Sequence, residues 1–182
     1  MSEMFSRRVF MRGLGVVAAA AALTACSSTN EAVNQALIEG AVGGIVAADC
    51  KIGRMTYWAA NATVPVYEIS FRIVMTNVSS KPVTLSGDNF ATTLDGTPIP
   101  PFNFSARDVG DADIWRTYDS LTIRPGEERS VALAYEISQS TYDSWYRSSR
   151  TVAVSFTCGN QRVTYTKNSR SDEITVSDIE TL

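Results

Sequence analysis

The chain has 182 residues, a formal net charge of −3 and no histidine. The missing imidazole removes the commonest general base, the Ser–His and Cys–His nucleophile arrangements and the commonest zinc ligand. The acidic balance, with no basic run, counts against nucleic acid as a partner. A non-catalytic chain without metal or cofactor is the expectation.

At the N-terminus Arg7, Arg8 and Arg12 precede an apolar stretch from Gly13 to Leu23, and small residues lead into Cys26. The interval between Arg12 and Cys26 is 13 residues, short of the ~20 that a membrane-spanning helix requires. A removable export signal is the consequence. Within it, Ser6-Arg7-Arg8-Val9-Phe10-Met11-Arg12 resembles the twin-arginine export consensus, with Phe10 two places after the arginine pair. Leu23-Thr24-Ala25-Cys26 resembles the lipobox of bacterial lipoproteins. The two resemblances imply that residues 1–25 are a twin-arginine lipoprotein signal peptide and that Cys26 becomes an acylated first residue. Each buried methylene of an acyl chain contributes ~0.8 kcal/mol, so two or three chains anchor durably. The expected location is extracytoplasmic, on the outer face of the cell membrane. Ser27 also permits outer-membrane sorting in a cell with two membranes.

Loss of residues 1–25 removes three Arg and one Glu and leaves a net charge of −5. Residues 26–48 read as a lipidated tether with a short helix, since Ala32, Val33, Ala36, Leu37 and Val42 recur at helical spacing until Gly40, Gly43 and Gly44 interrupt. Residues 49–168 read as a single β domain and 169–182 as a C-terminal tail. With Cys26 acylated, Cys50 and Cys158 are left as an even pair, which outside the cytoplasm reads as a disulfide. Both fall in phase with apolar strand faces, so two buried free thiols are the competing reading.

From Cys50 onward the pattern has a period of two. Tyr67, Ile69, Phe71, Ile73 and Met75 alternate with more polar neighbours, and Val131-Leu133-Tyr135-Ile137 and Val152-Val154-Phe156-Cys158 repeat the device. Shorter strands are expected at 50–58, 82–86, 89–95, 119–123 and 162–166. Asp95-Gly96, Pro125-Gly126 and Gly159-Asn160 supply the turns. About eight short strands so spaced predict an all-β, antiparallel, immunoglobulin-like sandwich after the N-terminal helix.

The stretch Tyr67–Ser138 resembles the telokin-like, immunoglobulin-fold domain of bacterial lipoproteins and secreted antigens. The likeness rests on Arg72-Ile73-Val74-Met75-Thr76-Asn77, Lys81-Pro82-Val83-Thr84-Leu85, Asn89-Phe90, Leu94-Asp95-Gly96-Thr97 and Leu121-Thr122-Ile123-Arg124-Pro125-Gly126-Glu127. It implies an Ig-like sandwich with no shared catalytic residues. The segment Pro98–Asp119 departs from it as a longer insertion.

Three functional readings remain open. Trp115, Tyr118, Tyr142, Trp145 and Tyr146 could form a binding patch for a protein or a sugar of the envelope. They could instead pack over the open end of the sandwich, leaving a structural or assembly lipoprotein without a ligand. Finally, Asp108, Asp111, Asp113 and Asp119 could bind calcium, although their spacing fails the EF-hand pattern.

Overall fold

The computed structural model describes residues 40–57, 63–110 and 115–182. The expected signal peptide, the acylated Cys26 and Ala32, Val33, Ala36 and Leu37 of the expected tether helix lie outside them, whereas Val42, also assigned to that helix, forms an antiparallel bridge with Ile45 instead. In chain order the elements are β1 (Ile45–Tyr57), β2 (Val66–Asn77), β3 (Val83–Ser86), β4 (Phe90–Leu94), β5 (Thr97–Ile99), β6 (Asn103–Asp108), β7 (Arg116–Thr117), β8 (Ser120–Ile123), β9 (Glu128–Glu136), α1 (Gln139–Ser144), β10 (Thr151–Cys158), β11 (Gln161–Asn168), β12 (Ile174–Val176) and β13 (Glu180–Thr181). One sheet has the order β1-β2-β9-β6-β7 and the other β12-β11-β10-β4-β5, with β13 beside β11 and β3-β8 as a small ribbon. Every strand pairing is antiparallel.

The period-two segments place one face of each long strand in a shared core. Ile69, Phe71, Ile73 and Met75 of β2 are buried together with Val131, Leu133 and Tyr135 of β9 and Val152, Val154 and Phe156 of β10. The sheets meet through rings: Phe71 lies 5.6 Å from Tyr165 and 6.1 Å from Phe90, which in turn lies 5.1 Å from Phe156. Removing one such ring to Ala costs about 3–5 kcal/mol in a close-packed core. A hydrogen bond also crosses between the layers, from the Thr92 hydroxyl to Tyr135 Oη at 2.7 Å. Burial pushes the Tyr135 phenol up to about 12, against the opposing effect of that bond.

The turns obey their local chemistry. Asp95 and Gly96 both have positive φ, the arrangement of a two-residue hairpin with right-handed twist. Asp95 is further held by the Arg150 guanidinium and the Thr151 amide, which keep its carboxyl below the usual range. At the other end of the sandwich Asn77 is fully buried. Its amide nitrogen donates to the carbonyls of Lys81 and Ile123, both at 2.8 Å, while its oxygen accepts from the Ser79 amide and hydroxyl. Its backbone bonds Glu127 and Gly126, so one residue joins the end of β2 to two loops.

Several expectations need correction. The sandwich is not confined to 49–168: Val42 and Ile45 are fully buried, and β1 begins five residues before Cys50. Residues 169–182 are not a tail, because β12 and β13 extend the sheet of β11 and Ile174 is buried. The segment 98–119 is not an inserted loop but contributes β6, an interior strand between β9 and β7. Its buried core residues among the described ones are Phe104 and Ala106, too short an apolar alternation to stand out.

Cys50 and Cys158 are buried free thiols, not a disulfide. Cys158 packs against Gly43, ahead of β1, whereas Cys50 lies five residues beyond Ile45 within that strand. Five residues of strand span ~17 Å, well beyond the Cα separation of ~6 Å that a disulfide bridges. Sharing an inward face did not place them at one level. Burial raises both thiols, Cys50 more strongly.

Two outcomes follow. Asn77→Ala removes the donor to the Ile123 carbonyl in a buried bond and the acceptor of the Ser79 amide, and is expected to lower unfolding free energy by about 2–3 kcal/mol in urea titration; a loss below about 1 kcal/mol would contradict the role given to this side chain. Thermal melting is expected to be unchanged by dithiothreitol, with Cys50 unreactive to a thiol reagent until the chain unfolds. A large reductant-induced drop would show that the thiols pair.

Candidate ligand groove on the outer sheet face

The alternation that buries one face of β2 and β9 turns the other outward. On β2 that face carries Glu68, Ser70 and Arg72, and on β9 it carries Ala132 and Ala134. The register sets Ser70 beside Ala134 and Asn103, and Arg72 beside Ala132 and Ser105. Small side chains thus form a low floor across three strands, and longer ones rise around it. A shallow groove of about 170 Å³ results, bounded by Met55, Glu68, Arg72, Asn103 and Trp115.

Trp115 reaches this face because β7 pairs with β6, Thr117 opposite Ser105. The ring lies 5.5 Å from the Arg72 guanidinium and 4.9 Å from that of Arg107, within the ~6 Å over which a cation is attracted to an aromatic face. Arg72 is itself oriented by Ser70 Oγ at 3.3 Å and Met55 Sδ at 3.0 Å. Glu68 is only 6% exposed. Desolvation raises its carboxyl above the ordinary value, and nearby Arg72 offsets part of that rise.

The predicted aromatic patch is not one surface. Trp145, 2% exposed, plugs the end of the core, and its carbonyl accepts from buried Ser169 Oγ at 2.5 Å. Tyr118 packs partly against the core, its amide bonded to the Phe104 carbonyl. Tyr142 and Tyr146 belong to a separate cluster at the α1 end, where the Arg54 guanidinium lies 4.3 Å and 4.7 Å from their rings. Arg54 also donates to the Tyr142 carbonyl at 2.6 Å, and Tyr67 lies 5.0 Å from the Tyr142 ring. Only Trp115 of the five lines the groove. Of the four aspartates considered for calcium, Asp108 is paired with Arg129, Asp119 is exposed, and Asp111 and Asp113 lie outside the described residues.

Arg72, Glu68 and Asn103 were not singled out by sequence, since polar residues on the outward phase of a strand are the ordinary solvated face. A weak signal existed in Val131-Ala132-Leu133-Ala134-Tyr135, where large inward residues alternate with uniformly small outward ones.

No family model matches the chain, and no curated protein does. Among solved structures, it is similar to the yjhA protein of Bacillus subtilis at 13% identity and a TM-score of 0.39, covering 63% of this chain and 73% of that one. A functionally unknown protein from Listeria monocytogenes EGD-e matches at 12% identity and a TM-score of 0.37, over 62% and 65% of the two chains. An uncharacterized β-sandwich protein from Clostridium difficile 630 matches at 14% identity and a TM-score of 0.38, over 72% and 82%. TM-scores this low transfer neither topology nor activity. The chain is an antiparallel β-sandwich on the evidence of its own sheets.

The raised Glu68 carboxyl has a definite sign. A folded-state value above the unfolded one means that the native protein binds the proton more tightly, so stability falls as pH rises through the interval between them. Glu68→Gln is therefore expected to melt higher than the parent near neutrality, with the difference shrinking toward zero in acid. A variant that melts lower at pH 7 would show that pairing with Arg72 outweighs desolvation.

Proposed function

We propose that this chain is a lipid-anchored, extracytoplasmic, non-catalytic lipoprotein whose immunoglobulin-like sandwich binds a component of the cell envelope through the outer-face groove. The observation that carries the binding role is Trp115, half-buried beside Arg72 at the rim of a floor of small side chains. An outward sheet face with no role needs no low floor, and Trp and Arg are the residue types that concentrate binding energy.

The address rests on the paired arginines with Phe10 and on Leu23-Thr24-Ala25-Cys26. The path of the chain is compatible with it. Gly43 packs against Cys158, and Ile45 pairs with Asn77, so the chain enters the sandwich at the end remote from α1. Fractionation tests the proposed anchor directly: Cys26→Ser is expected to move the protein from the membrane to the soluble extracytoplasmic fraction. Retention of the variant in the membrane would overturn the lipid anchor.

A further inference from the structure

Resting on the groove as a binding site, its ligand class can be narrowed by the groups that line it. The lining contains one carboxylate, Glu68, and one guanidinium, Arg72, and a second guanidinium, that of Arg107, lies over the Trp115 ring outside the lining. A phosphate or an acidic polymer would meet the Glu68 carboxylate, and a cationic peptide would meet Arg72. A purely apolar ligand would desolvate Arg72, Asn103 and Ser105, which are only partly buried, without replacing their hydrogen bonds to water, which costs free energy at each group. A peptide added as a strand needs open backbone groups, but β2, β9 and β6 are each paired on both sides.

We propose that the groove binds a neutral glycan of the cell envelope, with a hexose ring stacked on Trp115 and its hydroxyls held by Glu68, Arg72 and Asn103. Sugar hydroxyls both donate and accept, which matches an acceptor-only carboxylate, a donor-only guanidinium and an amide that does both. The C–H face of a pyranose supplies the apolar partner for the indole. The groove lies on a sheet face rather than in a closed pocket, so an internal unit of a longer chain can lie across it. The Arg72 and Arg107 guanidiniums lie over the indole ring, and Ser70 holds Arg72, so little side-chain freedom remains to be lost on binding.

Affinity electrophoresis of the full mature chain in detergent, through gels containing neutral glucan, galactan or mannan or the anionic polygalacturonate, tests this assignment. Retardation by at least one neutral polysaccharide is expected, with Trp115→Ala weakening it about tenfold or more. Trp115→Phe should retain part of the binding, and Asn103→Ala should weaken it without lowering the melting temperature. Absence of retardation by all three neutral polymers, or retardation unchanged in a folded Trp115→Ala variant, overturns the proposal. Retardation by polygalacturonate alone, lost in Trp115→Ala, also overturns the neutral-glycan assignment but leaves the groove standing as a binding site. Membrane fractionation of Cys26→Ser is independent of every one of these outcomes.

Discussion

The buried amide of Asn77 holds the phase of β2, and the rest of the structure depends on that phase. Strand side chains alternate faces, so a slip of one residue would send Phe71 and Ile73 to solvent and Arg72 and Glu68 into the core. Asn77 opposes such a slip because its side chain fits only where the Lys81 and Ile123 carbonyls and Ser79 converge. A buried polar group left unpartnered by the slip would add its own penalty to the loss of apolar burial. Core and groove are therefore two consequences of one register.

Around that register the sandwich closes its ends differently. The end where the chain enters is stitched by polar bonds at Asn77 and by the close approach of Gly43 to Cys158, where positive φ and lack of space both demand glycine. The opposite end is plugged by Trp145 after α1, with Ser138 capping the helix and Ser169 holding the Trp145 carbonyl. Arg54 then stacks with Tyr142 and Tyr146 outside the plug. The aromatic residues beyond the strands thus divide between closure and surface, and their sequence neighbourhood does not separate the two roles.

The outer face of the five-stranded sheet owes its shape to strands distant in sequence. Arg72, Ala132 and Ser105 become neighbours only when β2, β9 and β6 pair, and β7 then brings Trp115 over their edge. Glu68 loses water in that setting, although on an isolated strand it would be a solvated residue. Its raised proton affinity records a stability cost that the fold carries at the groove.

Local patterning in the sequence determined the long strands β2, β9, β10 and β11 and the turns at Asp95-Gly96, Pro125-Gly126 and Gly159-Asn160, because strand period and turn dihedrals are properties of adjacent residues. The export and acylation motifs that underlie the proposed anchor are likewise local. Tertiary structure alone decided that β6 lies inside a sheet, that Ile174 completes the core, that Cys50 and Cys158 stand at different levels and that Trp115 rather than Trp145 faces solvent. Each of those outcomes depends on which strands pair and in what register, a relation between distant segments that alternation along a single segment does not contain.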